Sequence, residues 1–200
     1  EAGMAVLETS NFSAKAVPDT MRWKYGKLLV NLVNGLGAIS PDGDLATEIR
    51  DLMRAEAIAC LDAAGIAYAS FDEMAARRKG LMKNGLVNGQ ARVGSSTLQS
   101  LLRGNTDTEI DFLNGEIVQL GRLHNVPTPA NLVVQRASNK LAREGGAPQS
   151  MPLEELRDRI VQMGWSGYAR RLSRRCFAGS VRFWRCGAKS GAGTSIRLAR

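Results

Sequence analysis

The sequence predicts an all-α domain, and three observations support that prediction. Apolar residues recur at helical spacing in one segment after another. Helix-start signals, such as Ser or Thr followed three residues later by Glu, precede several of these segments. No segment shows a convincing strand alternation, and no internal repeat is visible. We therefore expect a helical domain over about residues 1–160, followed by a tail of different composition over residues 161–200.

The first predicted helix covers residues 23–39 and is apolar on nearly every side. Lys27, Asn31 and Asn34 are the exception, because at about 100° per residue their side chains project from one stripe. A helix with this pattern is expected to be buried, so Lys27 should be paired, reach a cleft or be desolvated. The alternative is that Lys27 extends to the surface while the amides cap backbone groups. The functional interpretation is a site for a small polar molecule.

Local signals mark the next two helices. Asp44 is expected to cap a helix that runs to about residue 64, and Gly65 is expected to end it. Ser70 and Glu73 form the pattern of a capping box, which predicts the start of a helix through the basic residues that follow.

Similar signals mark the remaining helices. Thr106 and Glu109 have capping-box spacing ahead of apolar residues at helical intervals. Thr128 followed by Pro129 predicts a helix with proline at its first position, running to about residue 143. A last short helix is expected over residues 153–160.

Charge is distributed very unevenly. All 19 acidic residues lie within residues 1–160, whereas the charged residues of the tail are all basic. The net charge of +8 and the pI near 9.9 therefore describe the tail, and the body is nearly neutral. Arginines alternate with aromatic residues in the tail, a pattern that can bind nucleic acid. The composition favours the alternative, a disordered or out-of-frame extension without a selected role.

Other features of the sequence bear on its cellular setting. No run of eighteen apolar residues exists, which argues against a membrane span. Cys60, Cys176 and Cys186 form no metal-binding spacing and no even disulfide framework, which favours a reducing, cytoplasmic setting. No signal peptide opens the chain, and Glu1 is not an initiator methionine, so we expect a processed or truncated start.

Four motifs follow one another along the body. They read Trp23-x3-Lys27-Leu28-x2-Asn31-x2-Asn34, Ser95-Ser96-x-Leu98-Gln99, Thr108-Glu109-Ile110-Asp111-x2-Asn114-Gly115 and Gly121-x2-His124-x-Val126-Pro127-Thr128-Pro129-x-Asn131. In order and separation they resemble the C-terminal half of ketopantoate reductases (2-dehydropantoate 2-reductases) over roughly residues 2–143. Any one motif alone would be a weak signal, whereas the set is specific.

The resemblance implies a multi-helix substrate domain of the type shared with 6-phosphogluconate dehydrogenases, which closes over a Rossmann domain. It implies that NADPH reduces ketopantoate to pantoate in pantothenate and coenzyme A biosynthesis. By the same resemblance, Lys27 is the proton donor to the developing alkoxide, and Asn31 and Asn34 orient the lysine and the substrate. Ser96 corresponds to the serine that contacts the substrate carboxylate, and Glu109 to the glutamate that meets the substrate hydroxyl.

One position departs from the family pattern. Many members carry the second asparagine eight positions after the lysine, but here Gly35 occupies that position and Asn34 comes at seven. Both offsets fall on the same helical stripe. The role of the second asparagine thus maps onto Asn34 by its place on the stripe and not by its exact position in the motif.

The residue types also suit this chemistry without the resemblance. Adding hydride to a ketone creates negative charge on oxygen, which a nearby ammonium can stabilise and then protonate. Glu109 has a competing structural interpretation as the capping-box partner of Thr106, and Ser96 as a loop or helix-cap residue. His124 is expected near a helix C-terminus and is assigned no catalytic role.

The cofactor half of such an enzyme is not recognisable in the sequence. We find no Gly-x-Gly-x-x-Gly after a strand and no alternation of strands and helices. We therefore expect this chain alone to bind NADPH poorly and to be inactive or nearly so. Its expected partners are a small 2-oxo acid and a Rossmann domain, with a homodimer left open. The rival hypothesis is a non-catalytic truncated module whose tail contacts nucleic acid.

Overall fold

A computed structural model describes residues 7, 9, 10, 16–81, 85, 89, 94–105 and 108–165 of the chain. Within these ranges the regular structure is helical and contains no strand, which confirms the all-α prediction. The helices are α1 (Thr20–Asn31), α2 (Asn34–Ile39), α3 (Asp44–Ala63), α4 (Phe71–Arg78), α5 (Ser96–Leu102), α6 (Ile110–Leu123), α7 (Pro129–Glu144) and α8 (Leu153–Ile160). A π-helical turn, Val161–Trp165, follows α8.

Two helix starts form as their local sequence predicts. The Ser70 hydroxyl accepts a hydrogen bond from the Glu73 N–H at 3.2 Å, and the Glu73 carboxylate accepts one from the Ser70 N–H at 2.9 Å. This reciprocal box begins α4 and confirms the prediction. Thr128 precedes α7 with Pro129 at the first position, also as predicted.

The first predicted helix is divided in the structure. Residues 23–39 were expected to form one continuous helix, but a turn at Leu32 and Val33 separates α1 from α2. The backbone stays close to helical through the turn, with φ of −51° at Leu32 and −76° at Val33. The two halves pack on different parts of the fold, since α1 lies against α3 and α4 whereas α2 lies against α5 and α7.

Two groups of buried side chains form the described core. One lies where α2, α3, α7 and α8 meet and contains Leu36, Ile39, Ala46, Ile49, Met53, Ala130, Val133, Val134, Ala137, Leu153, Leu156 and Ile160. The other joins α1, α3 and α6 and contains Leu29, Leu32, Ala57, Cys60, Leu61, Ile117 and Leu120. The long helix α3 contributes to both groups and so connects them.

The loop before α8 forms hydrogen bonds with the C-terminal end of α2. The Gln149 N–H donates to the Ala38 carbonyl and the Met151 N–H to the Ile39 carbonyl, each at 2.9 Å. The Ser40 hydroxyl donates to the Met151 carbonyl at 2.8 Å. These bonds satisfy carbonyls at the C-terminal end of α2, which a helix alone leaves unpaired. They hold α2 in place.

Several predictions fall outside this description. The basic tail is described only over residues 161–165, so the predictions for the rest of it, and for Cys176 and Cys186, lie outside the described residues. Thr106 also lies outside them. Among the helices that are described, none combines the length and apolar character needed to cross a membrane.

Candidate functional site

Lys27 and Asn31 lie on one stripe of α1, as the sequence predicts, but Lys27 is not buried. Its side chain is exposed, whereas Asn31, the last residue of α1, is half-buried. Desolvation of the lysine is therefore wrong for this chain, and the alternative, in which Lys27 extends to the surface, agrees with its exposure. The reason is that α1 buries only one side, through Leu29 and its neighbours, and nothing among the described residues covers the opposite side. We call the stripe formed by Lys27 and Asn31 the Lys27 face.

Asn34 is the first residue of α2 and is half-buried, while Gly35 is buried. A Cβ atom placed on Gly35 would overlap the Cδ1 atom of Ile110 and would lie 3.2 Å from Cγ1 of Val134. A side chain at position 35 would therefore require the buried Ile110 side chain to shift. Gly35 therefore fits this close contact, and the asparagine stands one position earlier, at the half-buried Asn34.

The start of α5 lies against the start of α2. The Ser95 hydroxyl accepts a hydrogen bond from the Leu98 N–H at 3.3 Å and donates one to the Asn34 carbonyl at 3.1 Å. Ser95 therefore caps α5 and attaches it to α2. Ser96 is the first residue of α5, and its side chain is exposed. Of the two adjacent serines, Ser95 has a structural role and Ser96 is accessible.

Glu109 lies immediately before α6 and is exposed. Because α6 begins at Ile110, Glu109 occupies the N-cap position and not the third helical position that the predicted capping box requires. That prediction is wrong for Glu109, and its other member, Thr106, lies outside the described residues. The Glu109 side chain accepts no capping hydrogen bond.

Three helix starts thus meet at one place, which we call the three-helix corner. It consists of residues 34–35, 95–96 and 109–110, joined by the bond from Ser95 to Asn34 and by the packing of Ile110 on Gly35. Lys27 precedes Asn34 by seven residues, and the turn at Leu32 and Val33 lies between them. The structure therefore brings the backbone positions of Asn34, Ser96 and Glu109 together, and Lys27 and Asn31 lead into the corner along α1.

The most buried carboxylate in the described chain was missed by the sequence analysis. Glu56 on α3 is 0% exposed, and its carboxylate accepts hydrogen bonds from the N–H groups of Ala130 at 2.9 Å and Asn131 at 3.0 Å. These two donors belong to the first turn of α7, so Glu56 caps that helix from another part of the chain. A signal was present, since Glu56 falls on the same helical stripe as the buried Met53 and Cys60.

Two asparagines of the family motifs belong to the same buried network. The Asn131 side-chain amide donates to Glu56 at 2.7 Å and to the Met53 carbonyl at 3.0 Å. The Asn114 amide donates to the Asn131 side-chain oxygen at 2.9 Å. Both asparagines are fully buried. They connect α3, α6 and α7 and expose no surface, so their role in the described fold is structural.

Burial dominates the protonation of this network. It raises the pKa of Glu56 to about 7 from the ordinary 4.5, although the N–H groups of Asn131 and Ala130 act to lower it. Burial, assisted by the charge of Glu56, raises the pKa of Cys60 to about 12. Cys60 is therefore a thiol near neutral pH and is not suited to nucleophilic chemistry.

Histidine and clusters of His, Cys, Asp and Glu are the remaining side chains with catalytic or metal-binding chemistry. His124 lies at the C-terminal end of α6, as predicted, and its side chain is exposed. Within the described ranges no three His, Cys, Asp or Glu side chains are arranged to hold a metal ion.

Comparison with known proteins points to the same family as the motifs. The profile described as "Ketopantoate reductase PanE/ApbA C terminal" matches residues 19–142. A PanE/ApbA family ketopantoate reductase from Ralstonia eutropha JMP134 is 29% identical and superposes with a TM-score of 0.48, and the match covers 60% of this chain and 41% of that reductase. This chain thus spans about two fifths of that relative. No curated protein matches the chain. Because the family profile covers more than half of its residues, the chain belongs to the C-terminal domain family of ketopantoate reductases.

Proposed function

We propose that this chain is the substrate-binding and proton-donating part of an NADPH-dependent 2-dehydropantoate 2-reductase, which converts ketopantoate to pantoate in pantothenate and coenzyme A biosynthesis. One observation carries the proposal: the bond from Ser95 to Asn34 and the packing of Ile110 on Gly35 bring the positions of Asn34, Ser96 and Glu109 together, and the exposed Lys27 lies on the helix that precedes them. Membership of the ketopantoate reductase family supports it.

Lys27 acts as the proton donor in this proposal. Hydride addition to the ketone carbon leaves negative charge on the oxygen, and an ammonium group can stabilise that charge and then transfer a proton to it. Lys27 is exposed on α1 and is accessible to a ligand. Asn31, one turn further along the stripe, orients the ammonium group and the ketone.

The three-helix corner binds the rest of the substrate. The Ser96 hydroxyl donates a hydrogen bond to the carboxylate of the 2-oxo acid, and the Glu109 carboxylate accepts one from its hydroxyl group. Asn34 offers an amide to either group. All three side chains are exposed or half-buried. They can therefore contact a ligand without moving core residues.

The described residues do not fit NADPH by themselves. Nucleotide-binding folds hold the pyrophosphate where a strand turns into a helix, and the described part of this chain contains no strand. In our proposal NADPH supplies the hydride and is bound mainly by a Rossmann domain that these residues do not form. The chain alone should therefore be inactive or nearly so.

The compartment is part of the same proposal. Cys60 is a free, buried thiol. Unpaired cysteines are usual in reducing compartments, which supports a cytoplasmic location. A homodimer is compatible with the proposal and is not required by it.

The experiment that tests the function compares two substrates. The full-length natural protein containing these residues should oxidise NADPH with ketopantoate, and less efficiently with trimethylpyruvate, which lacks only the hydroxyl group. Glu109→Ala should lower kcat/KM for ketopantoate by about 10–100-fold, the equivalent of one hydrogen bond to a charged group. It should change kcat/KM for trimethylpyruvate little. Equal losses for both substrates would refute the role of Glu109, and an inactive wild type would refute the proposed reaction.

A further inference from the structure

The first turns of α1 are attached closely to the start of α4. Arg22 donates to both carboxylate oxygens of Glu73, each at 2.7 Å. The Arg22 carbonyl also accepts a hydrogen bond from the Ala69 N–H at 3.0 Å. The same residue of α1 is thus bound through its side chain and its backbone to the segment that begins α4. We call the Arg22–Glu73 pair the α1–α4 clamp.

Gly26 shows how closely these elements approach. A Cβ atom placed on Gly26 would lie 2.8 Å from the Ala69 carbonyl oxygen and 2.9 Å from the Ala69 Cβ. The first of these atoms belongs to the backbone, so it cannot give way as a flexible side chain would. Gly26 directly precedes Lys27. The close contact between Gly26 and Ala69 therefore fixes the backbone of α1 one residue before Lys27.

Glu73 is itself held in place on α4. Its carboxylate accepts the Ser70 N–H in the capping box while it binds Arg22. The hydrogen bond from Arg22 is the main reason that the pKa of Glu73 falls to about 2, so the clamp stays charged across the physiological range. On the same side, the Arg77 guanidinium lies 4.2 Å from the centre of the Trp23 ring.

Lys27 depends on this arrangement for its position. Among the hydrogen bonds and ion pairs within the described ranges, none involves the Lys27 side chain. A lysine side chain without partners is flexible, so only the backbone of α1 determines where its ammonium group can reach. A displacement of about 1 Å at a reacting group can cost on the order of 10²-fold in rate.

We propose that Arg22 and Glu73 are positioning residues for proton transfer by Lys27: the α1–α4 clamp fixes α1 so that the ammonium group reaches the ketone oxygen. This inference rests on the proposed function. A purely structural role is the alternative. The Arg22 and Glu73 side chains are 30% and 43% exposed, and ion pairs with such exposure add little to stability. Loss of the pair should therefore lower the reaction rate if it positions Lys27, and should have little effect of any kind if its role is only structural.

Glu73→Gln is the informative variant. Glutamine can replace glutamate in a capping box, so α4 should still begin at the same place, while Arg22 loses its charged, two-oxygen partner. In the full-length natural protein, kcat with ketopantoate and NADPH should fall on the order of 10–100-fold. KM and the melting temperature should change little. The solvent deuterium isotope effect on kcat should rise, because a misplaced Lys27 makes proton transfer slower.

A control variant and a double variant complete the test. Glu155→Gln removes the carboxylate of the Arg159–Glu155 ion pair on α8, the same chemical change at a pair far from the Lys27 face, and should leave kcat unchanged. Arg22→Gln combined with Glu73→Gln should lower kcat no more than either change alone, because the two residues act as a unit.

The outcomes separate the inference from the proposed function. An active wild type whose kcat and isotope effect do not change in Glu73→Gln would overturn the positioning role alone. The same holds if kcat falls only in proportion to the folded fraction. A wild type that reduces no 2-oxo acid would overturn the proposed function and this inference with it.

Discussion

Lys27→Ala in the full-length natural protein should lower kcat for ketopantoate reduction by about 10²–10⁴-fold, the usual contribution of a general acid. KM should change much less, because the three-helix corner and not the ammonium group holds the carboxylate and hydroxyl groups of the substrate. The fold should be unaffected, since the Lys27 side chain is exposed. The measurement is steady-state NADPH oxidation, with unfolding followed in parallel.

Lys24→Ala provides the matched control for this variant. Lys24 lies three residues earlier on α1 and is also exposed, so its removal deletes the same charge from the same helix. It should retain nearly full kcat. If the two variants lose activity to the same extent, Lys27 contributes only to the general positive potential of α1 and is not the proton donor.

Glu56→Gln should destabilise the fold and should do so in a pH-dependent way. Glutamine has one acceptor oxygen, and its NH₂ group would face an N–H group of Ala130 or Asn131 that Glu56 now accepts. Leaving one buried donor unpaired costs about 1–3 kcal/mol. The loss should be visible in urea unfolding as a lower free energy of unfolding with an unchanged m value.

The sign of the pH dependence follows from the raised pKa of Glu56. Its pKa is about 7 in the fold against an ordinary 4.5, so protonation favours the folded state. The resulting stabilisation, on the order of 3 kcal/mol, is complete below about pH 4.5 and is lost as pH rises through about 7. Glu56→Gln does not titrate. The stability difference between wild type and variant should therefore be larger at pH 5 than at pH 8.

Glu48→Gln on the exposed side of α3 is the control, and it should show no such trend. Glu73 does not interfere, because its lowered pKa affects stability only below about pH 4.5. If the difference between wild type and Glu56→Gln instead widens as pH rises, the N–H donors outweigh burial and Glu56 is charged in the fold.

The sequence predicted some helix boundaries whose cause is local, although the predicted box of Thr106 and Glu109 does not fit the start of α6. The Ser70–Glu73 box and the Thr128-Pro129 start each depend on residues within one turn, and both form as expected. The division of the first helix at Leu32 was not predictable in this way, because it depends on α1 and α2 packing against different helices. Local patterns determine where helices begin, whereas tertiary packing determines whether a long helix stays continuous.

Burial was harder to predict than helicity. The helix of Lys27 was expected to be buried because it is apolar on most sides, and whether Lys27 itself is desolvated or reaches the surface depends on which elements pack on α1. The burial of Glu56 was not predicted, because the groups that bind its carboxylate, on Ala130 and Asn131, are more than seventy residues away in sequence. A carboxylate on an apolar stripe can be recognised from spacing, but its partner cannot.

The central claim is that a 2-oxo acid binds beside Lys27, and ligand protection of its amine tests this most directly. In the full-length natural protein, acetylation of Lys24 and Lys27 can be followed by mass spectrometry with and without ketopantoate and NADP⁺. Both amines should react in the free protein. We predict that the bound keto acid protects Lys27 and leaves the reaction of Lys24 unchanged. Equal labelling of Lys27 with and without ligand would contradict the account.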